Sequence, residues 1–230
     1  MFKKKLVVLS GAGISAESGL QTFRDSGGLW EGYNVEDVAT PMAWKRNPGL
    51  VLDFYNYRRK NVQNAVPNAA HIGLAELEKN FDVQIITQNI DDLHERAGST
   101  KVLHLHGEIF KMRSEYNEDL IYEIKGDIRL GDLAEDGFQL RPHIVWFHEP
   151  VPMMDEAIPL VTGADLFVVI GTSLVVYPAA GLLSYVPLEI PKFIVDKKIP
   201  HTSSNHDFTA VAKPATEGIK DISELLKKWV

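Results

Sequence analysis

Four short apolar runs punctuate the chain: Leu6–Leu9, Val83–Thr87, Leu166–Gly171 and Phe193–Asp196. Runs of that length between polar or glycine-rich clusters read as strands buried on both faces, the pattern of a parallel sheet. Segments of helical period lie among them. Asn68 is placed to cap a helix carrying His71, Ile72, Leu74, Ala75 and Leu77. Pro178 stands where a first helical turn is expected before Leu182 and Leu183. Ile222, Leu225, Leu226 and Trp229 predict a C-terminal helix packed on the sheet edge.

Alternation of this kind implies an α/β fold with a Rossmann-like, doubly wound parallel sheet, which binds ligands at the carboxyl ends of its strands. Two stretches break the alternation. The pattern therefore divides the chain into a sheet domain (1–30, 68–107 and 144–230) and a smaller inserted module (31–67 and 108–143).

The candidate chemistry gathers at predicted strand ends. Gly11-Ala12-Gly13-Ile14-Ser15 follows the first strand. Glycines there let a ligand approach the backbone, and a helix starting beyond would aim N–H groups at a phosphate; a plain chain turn has the same composition. Thr87-Gln88-Asn89-Ile90-Asp91-Asp92 sets amides and carboxylates after the second strand, for a ribose or amide ligand or to cap the helix holding Leu93 and His94. In Val102-Leu103-His104-Leu105-His106-Gly107 the histidines share one strand face. With an ordinary pKa of about 6.5, either suits general-base work. His106 is favoured, because Gly107 ends the strand at the cleft. The pair could form half a metal site, but no partner stands at ligand spacing. Gly171-Thr172-Ser173 offers two hydroxyls to phosphate or ribose, or simply leaves the strand.

Composition narrows the picture. The 230 residues are 45% hydrophobic with a net charge of −7, which disfavours a nucleic-acid surface, and the absence of cysteine excludes disulfides and thiolate metal sites. Lys3-Lys4-Lys5 precedes only four apolar residues, short of the ~7–15 of a signal h-region. No run approaches the ~20 residues of a membrane span. The expectation is a cytoplasmic protein without nucleic-acid or membrane partners.

Taken in order, these segments resemble the sirtuins, NAD-dependent protein lysine deacylases. Gly11 to Gly19 with Phe23-Arg24 is similar to their NAD loop, and Thr87–Asp91, Leu105-His106-Gly107-Glu108, Ile144-Val145-Trp146-Phe147 and Gly171-Thr172-Ser173 to their further signatures. The resemblance implies NAD as co-substrate. Its pyrophosphate would lie on Gly11, Ala12, Gly13 and Ser15, with Arg24 nearby and Phe23 shielding the reactive centre. Asn89, Asp91 and neighbouring Ile90 would hold the nicotinamide carboxamide, and Gln88 its ribose. Gly171, Thr172, Ser173 and Ala215 would also touch the cofactor. His106 would be the general base, with Asn89 and Asp91 catalytic beside it. Val145, Trp146 and Phe147 would line the acyl-lysine tunnel and offer a strand edge to the substrate. The products implied are free lysine, nicotinamide and O-acyl-ADP-ribose. Mono-ADP-ribosyl transfer, or NAD or ADP-ribose sensing without turnover, are the alternatives.

The chain departs from that family in three places. Ser114 and Asn117 stand where the first zinc-binding Cys-x-x-Cys pair is usual. Neither is a competent zinc ligand, so a zinc-free module packed on Phe110, Leu120, Ile124, Ile128 and Leu130 is expected. His148 replaces the usual glycine beside the peptide groove, and Val195-Asp196-Lys197 lacks the usual adenosine-ribose asparagine. Tyr55 and Arg58, three apart on a predicted helix opened by Asn47-Pro48, resemble the Tyr-x-x-Arg signature of sirtuins that remove succinyl, malonyl or glutaryl groups. Ala39 matches the small residue that leaves room for the longer acyl chain. The resemblance thus implies acylated protein lysines as partners, acidic acyl groups first and acetyl also accepted.

Overall fold

The computed structural model describes residues 2–21, 29–30, 32–200 and 207–230. Along the chain come β1 (Lys5–Ser10), a hairpin of β2 (Leu29–Trp30) and β3 (Tyr33–Asn34), and helices α1 (Val35–Val38), α2 (Pro41–Arg46), α3 (Pro48–Asn64) and α4 (Ala69–Leu77). Then follow β4 (Asp82–Thr87), α5 (Leu93–Arg96), β5 (Val102–His104), β6 (Gly107–Ser114), β7 (Ile121–Glu123) and β8 (Leu140–Ile144). The chain closes with α6 (Met154–Thr162), β9 (Leu166–Ile170), β10 (Lys192–Val195), β11 (Phe208–Val211) and α7 (Ala215–Leu226).

Six strands form one parallel sheet in the order β11-β10-β9-β1-β4-β5. The pleat sends alternate residues to opposite faces. Leu6 and Val8 of β1 pack with Leu74 of α4 and Ile219 and Ile222 of α7. Val7 and Leu9 pack against Ala157 and Val161 of α6 and Leu182. Both faces are therefore covered, which is why the strands read as continuous apolar runs. The winding runs from β1 towards β5 and then resumes on the other side of β1 towards β11. A crevice opens at such a reversal, at the carboxyl ends of β1 and β9.

Several expectations change. α7 lies on a sheet face with α4, not on the edge. Residues 179–185 form a 3-10 turn with Pro178 at its cap. The strand expected across the two histidines stops at His104, and His106 lies in the turn beyond it.

A third core gathers α1 to α3 with the antiparallel sheet β7-β6-β8. Asn47 caps α3 by accepting from Leu50 N–H. Ile128 is buried there, with Phe110, Leu120 and Ile124 packed against the cluster, but Leu130 is 61% exposed and does not join it. Where cysteine would open a metal site, the buried Ser114 hydroxyl donates to Asp136 at 2.6 Å and accepts from the Tyr116 and Asn117 N–H groups. Asp136 also accepts from Phe138 N–H, and the Tyr116 and Phe138 rings stack at 4.6 Å. Among the described residues no group of three or more His, Cys, Asp or Glu could hold a metal ion.

This knot predicts that Ser114→Ala, which strips an acceptor from two N–H groups, lowers stability by about 1–3 kcal/mol. EDTA is expected to leave the wild-type urea midpoint unchanged. A chelator-sensitive midpoint would show that packing and hydrogen bonds alone do not hold the module.

Candidate active site

The crevice is built by backbone meeting backbone. Gly13 N–H donates to Gly171 O at 2.8 Å and Gly11 N–H to Ile170 O at 3.2 Å, locking the turn after β1 to the end of β9. Gly171 adopts φ +64°, and a Cβ there would strike the backbone of Ile14 and Gly13. Only glycine suits such a contact. The turn continues as two 3-10 segments, Ala12–Ile14 and Ala16–Ser18, in place of the expected helix. With the Ile14 and Ser15 N–H groups bonded to Gly11 O and Ala12 O, much of the donor supply expected for a phosphate is spent inside the protein.

Polar side chains converge beside this turn. Gln88 Nε2 donates to Thr172 Oγ1 at 3.0 Å, bridging the ends of β4 and β9, with Ser173 next in the loop. Asn89 Nδ2 donates to Ser15 Oγ at 3.1 Å and to Gly11 O at 3.3 Å. The Ser15 hydroxyl in turn donates to Asp91 Oδ2 at 3.1 Å. The carboxylate also accepts from Leu93 N–H, so Asp91 both supports the start of α5 and faces the cluster. Burial pushes the Asp91 carboxyl up against the pull of these two hydrogen bonds. A carboxylate in that position has room in its chemistry for one more donor, such as a ligand amide.

His71 completes the cluster. Its Nδ1 accepts from Asn68 N–H at 3.3 Å, so the proton sits on Nε2, which donates to Ser15 Oγ at 3.4 Å. Burial depresses its pKa to about 4 and keeps it neutral. The sequence places it only on the helix capped by Asn68; its aim at Ser15 shows only in three dimensions. His94, on the helix that the sequence sets after Asp91, is fully buried, with Nε2 2.9 Å from Ser10 Oγ. The small Ser10 at the end of β1 and the edge-on ring of His71, 5.0 Å away, are its neighbours.

The Gln88–Ile90 turn is held by one neighbouring segment. Thr87 O accepts from Leu105 N–H, Gln88 O from His106 Nδ1, Asn89 O from His104 Nδ1 and Ile90 O from Ile109 N–H, at 2.8–3.0 Å. The two histidines do this with opposite pKa shifts. A carbonyl only accepts, so His106 carries its proton on Nδ1 and keeps the Nε2 lone pair for a substrate. Burial lowers its pKa, partly offset by the Gln88 bond, and the ring is neutral near pH 7. His104 meets an acceptor at each nitrogen, the second being Glu95 Oε1 at 2.8 Å. Burial would lower its pKa, but Glu95, the Asn89 carbonyl and Glu108 together outweigh it and the net shift is upward.

The anticipated substrate residues surround a neighbouring aromatic cluster. Tyr55 and Arg58 lie on one side of α3 and both are buried, at 0% and 8% exposure. The Tyr55 hydroxyl makes no hydrogen bond of full geometry among the described residues; the Trp146 indole N–H, its near neighbour, can only donate to it, so the phenol's own proton stays available. Burial raises its pKa well beyond the phenol range despite the charge of Arg58, so it stays a donor. Trp146 lies 6.5 Å from the Tyr55 ring and is capped by the Arg141 guanidinium, 3.3 Å above it. Arg141 is in turn paired with Glu149 at 2.8 Å.

Val145, Trp146 and Phe147 do not form the expected strand edge. Their N–H groups are committed to His106 O, Glu149 Oε2 and Ala39 O. Buried Ala39, at the end of α1, thereby meets the loop through its backbone. His148 has φ +72°, a conformation that explains why glycine suits the position, and its exposed ring lies 3.6 Å from Glu36. Ala215 opens α7 and is buried in the sheet core. Phe23 and Arg24 lie outside the described residues. Arg141 and Glu149 carry no sequence signal that singles them out.

Comparisons agree with the geometry. The model of the Sir2 family matches residues 11–178. A Bacteroides thetaiotaomicron protein named NAD-dependent protein deacylase is 53% identical over 229 residues, covering 97% of this chain and 98% of its own. A Helicobacter pylori protein of the same name is 52% identical over 219 residues, covering 95% and 94%. A solved Sir2 homologue–NAD complex superposes with a TM-score of 0.86 at 38% identity, covering 99% of this chain and 91% of that one. The donor set here fits such a ligand: two side-chain amides, hydroxyls, a buried carboxylate and a neutral imidazole around one crevice.

The opposite pKa shifts predict separable titrations. Followed by NMR of the ring C–H groups, His106 is expected to titrate below the ordinary value of about 6.5 and His104 above it. Coincident titrations of the two rings would refute the partner assignment.

Proposed function

The chain belongs to the Sir2 family and is an NAD-dependent protein deacylase; we propose that it prefers lysines carrying an acidic acyl group, succinyl or malonyl, and accepts acetyl as well. The observation that carries this preference is the buried Tyr55 hydroxyl, its proton unclaimed among the described residues, beside buried Arg58 on α3. A phenol held as a donor and a guanidinium beside it are the two groups that a distal carboxylate needs in a low-dielectric pocket. Ala39 leaves volume near the loop that carries Trp146 and Phe147.

NAD supplies an electrophilic ribose carbon and nicotinamide as the leaving group. Asn89 and Asp91 hold the carboxamide, with Ile90 alongside, and Ser15 and His71 fix the orientation of both polar side chains. Gln88, Thr172 and Ser173 meet the ribose and phosphates together with the Gly11–Gly13 and Gly171 backbone. His106 presents Nε2 as general base to a ribose hydroxyl, its other nitrogen anchored on Gln88 O. Trp146 and Phe147 shape the tunnel, and the module of residues 31–67 and 108–143 brings Tyr55 and Arg58 to it. Ala215 is assigned to the adenosine end, and Arg24 and Phe23 to the phosphates and the reactive centre.

Two outcomes follow. Replacing His106 by Ala should cut nicotinamide release by roughly 10²–10⁴-fold while NAD binding, read by calorimetry, survives; loss of binding with turnover would remove it from the base role. In parallel, Arg58→Met should lower kcat/KM on a succinyl-lysine peptide by roughly 10–100-fold, the value of a charge-assisted hydrogen bond. The matched acetyl peptide should change little. Equal losses on both peptides, or acetyl preference in the wild type, would make Arg58 an ordinary helix residue.

A further inference from the structure

His106 is not the only histidine fastened to the turn beneath the proposed nicotinamide site. His104 donates from Nδ1 to Asn89 O at 2.9 Å and meets Glu95 Oε1 with Nε2 at 2.8 Å, its side chain only 8% exposed. It thus ties the backbone of Asn89, whose side chain reaches Gly11 and Ser15, to the helix that follows Asp91.

We propose that His104 is a positioning residue for the reaction, holding Asn89 and Asp91 in their ligand-binding geometry only while both of its ring nitrogens carry protons. The inference rests on the assignment of those two residues to the nicotinamide amide. The physical reason is a count of donors. Both neighbours of His104 are acceptors, a carbonyl and a carboxylate, so a neutral ring can serve only one of them. On losing a proton, His104 either releases Asn89 O, freeing the turn, or turns a lone pair towards the Glu95 carboxylate. The first leaves a carbonyl unmatched beside a ring only 8% exposed; the second sets a lone pair against a carboxylate 41% exposed, which turns to water and lets go of the ring that anchors the turn.

The charges around His104 are Glu95 on α5, Glu108 on β6, buried Asp91 on the turn and neutral His94. The two glutamates favour the charged ring and Asp91 is drawn down by it; burial opposes them, and the net shift is upward. The sign is then opposite to that of His106. His106 must be neutral, so activity rises as pH climbs through its lowered pKa. His104 must be charged, so activity falls as pH climbs through its raised one.

The test is the pH profile of kcat/KM for NAD with a succinyl-lysine peptide, alongside calorimetric NAD affinity across the same pH range. Wild type, Glu95→Gln and His104→Gln are compared, with circular dichroism as the folding control. Glu95→Gln keeps an acceptor but removes its charge, and should move the descending alkaline limb down by about one pH unit or more. His104→Gln keeps one amide donor for Asn89 O and should abolish that limb in turnover and in affinity, leaving the ascending limb in place. Alkaline limbs that superpose in all three folded proteins would overturn the proposal. A wild type that binds NAD but releases no nicotinamide would overturn the deacylase reading instead, and the affinity profiles would still decide the role of His104.

Discussion

The site depends on how four consecutive backbone carbonyls, Thr87 to Ile90, are satisfied after the β4 strand ends. Beyond a sheet, such groups lose their ladder partners and must find others or face water. Here the segment from His104 to Ile109 supplies all four donors, two from backbone and two from imidazoles. That solution fixes the turn rigidly and leaves its side chains, Gln88, Asn89 and Asp91, pointing at the β1 and β9 ends. It also places His106 with one nitrogen spent and the other available. The same bonds thus solve a folding problem and set the tautomer of His106.

Gly107 shows how tightly this is built. With φ +81° it passes against the His143 backbone, where a Cβ would collide, and carries the chain from the parallel sheet into the antiparallel one. The site and the small module are joined through that crossing. A substitution there would move His106 and β6 together.

Much of this was legible in the chain because a parallel sheet covered on both faces writes its strands as apolar runs. β1, β4, β9 and β10 could be read within a residue or so. β11 could not, because its middle residues Thr209 and Ala210 are exposed and its apolar content is slight. Asn68 and Asn47 announced their helices by the chemistry of the cap, which is local. What failed was whatever depended on long-range closure. His94 looks like a polar helix residue until β1 is placed against it at Ser10. Val145–Phe147 has the composition of a strand, yet His106 O, Ala39 O and Glu149 take its N–H groups first. Leu130 was assigned to a core by its character alone, and no neighbouring element covers it.

Charge also fixes the surroundings of Trp146. Arg141 on β8 lies over the Trp146 ring and is neutralised by Glu149, which also accepts the Trp146 N–H at 2.7 Å. Burial lowers the pKa of Arg141 and the Glu149 carboxylate restores part of it, so the guanidinium is retained because its partner is. Removing either member would leave a buried charge beside Tyr55, and that costs more than the pair is worth as a net stabiliser. The pair therefore acts chiefly as a fixture. It sets the plane of Trp146, holds the turn in which His148 adopts its left-handed conformation, and keeps the Arg141 charge paired. On the proposed acyl preference, selectivity then falls to Arg58 and Tyr55, and the stability of a module held by hydrogen bonds at Ser114 becomes part of what keeps those two residues in place.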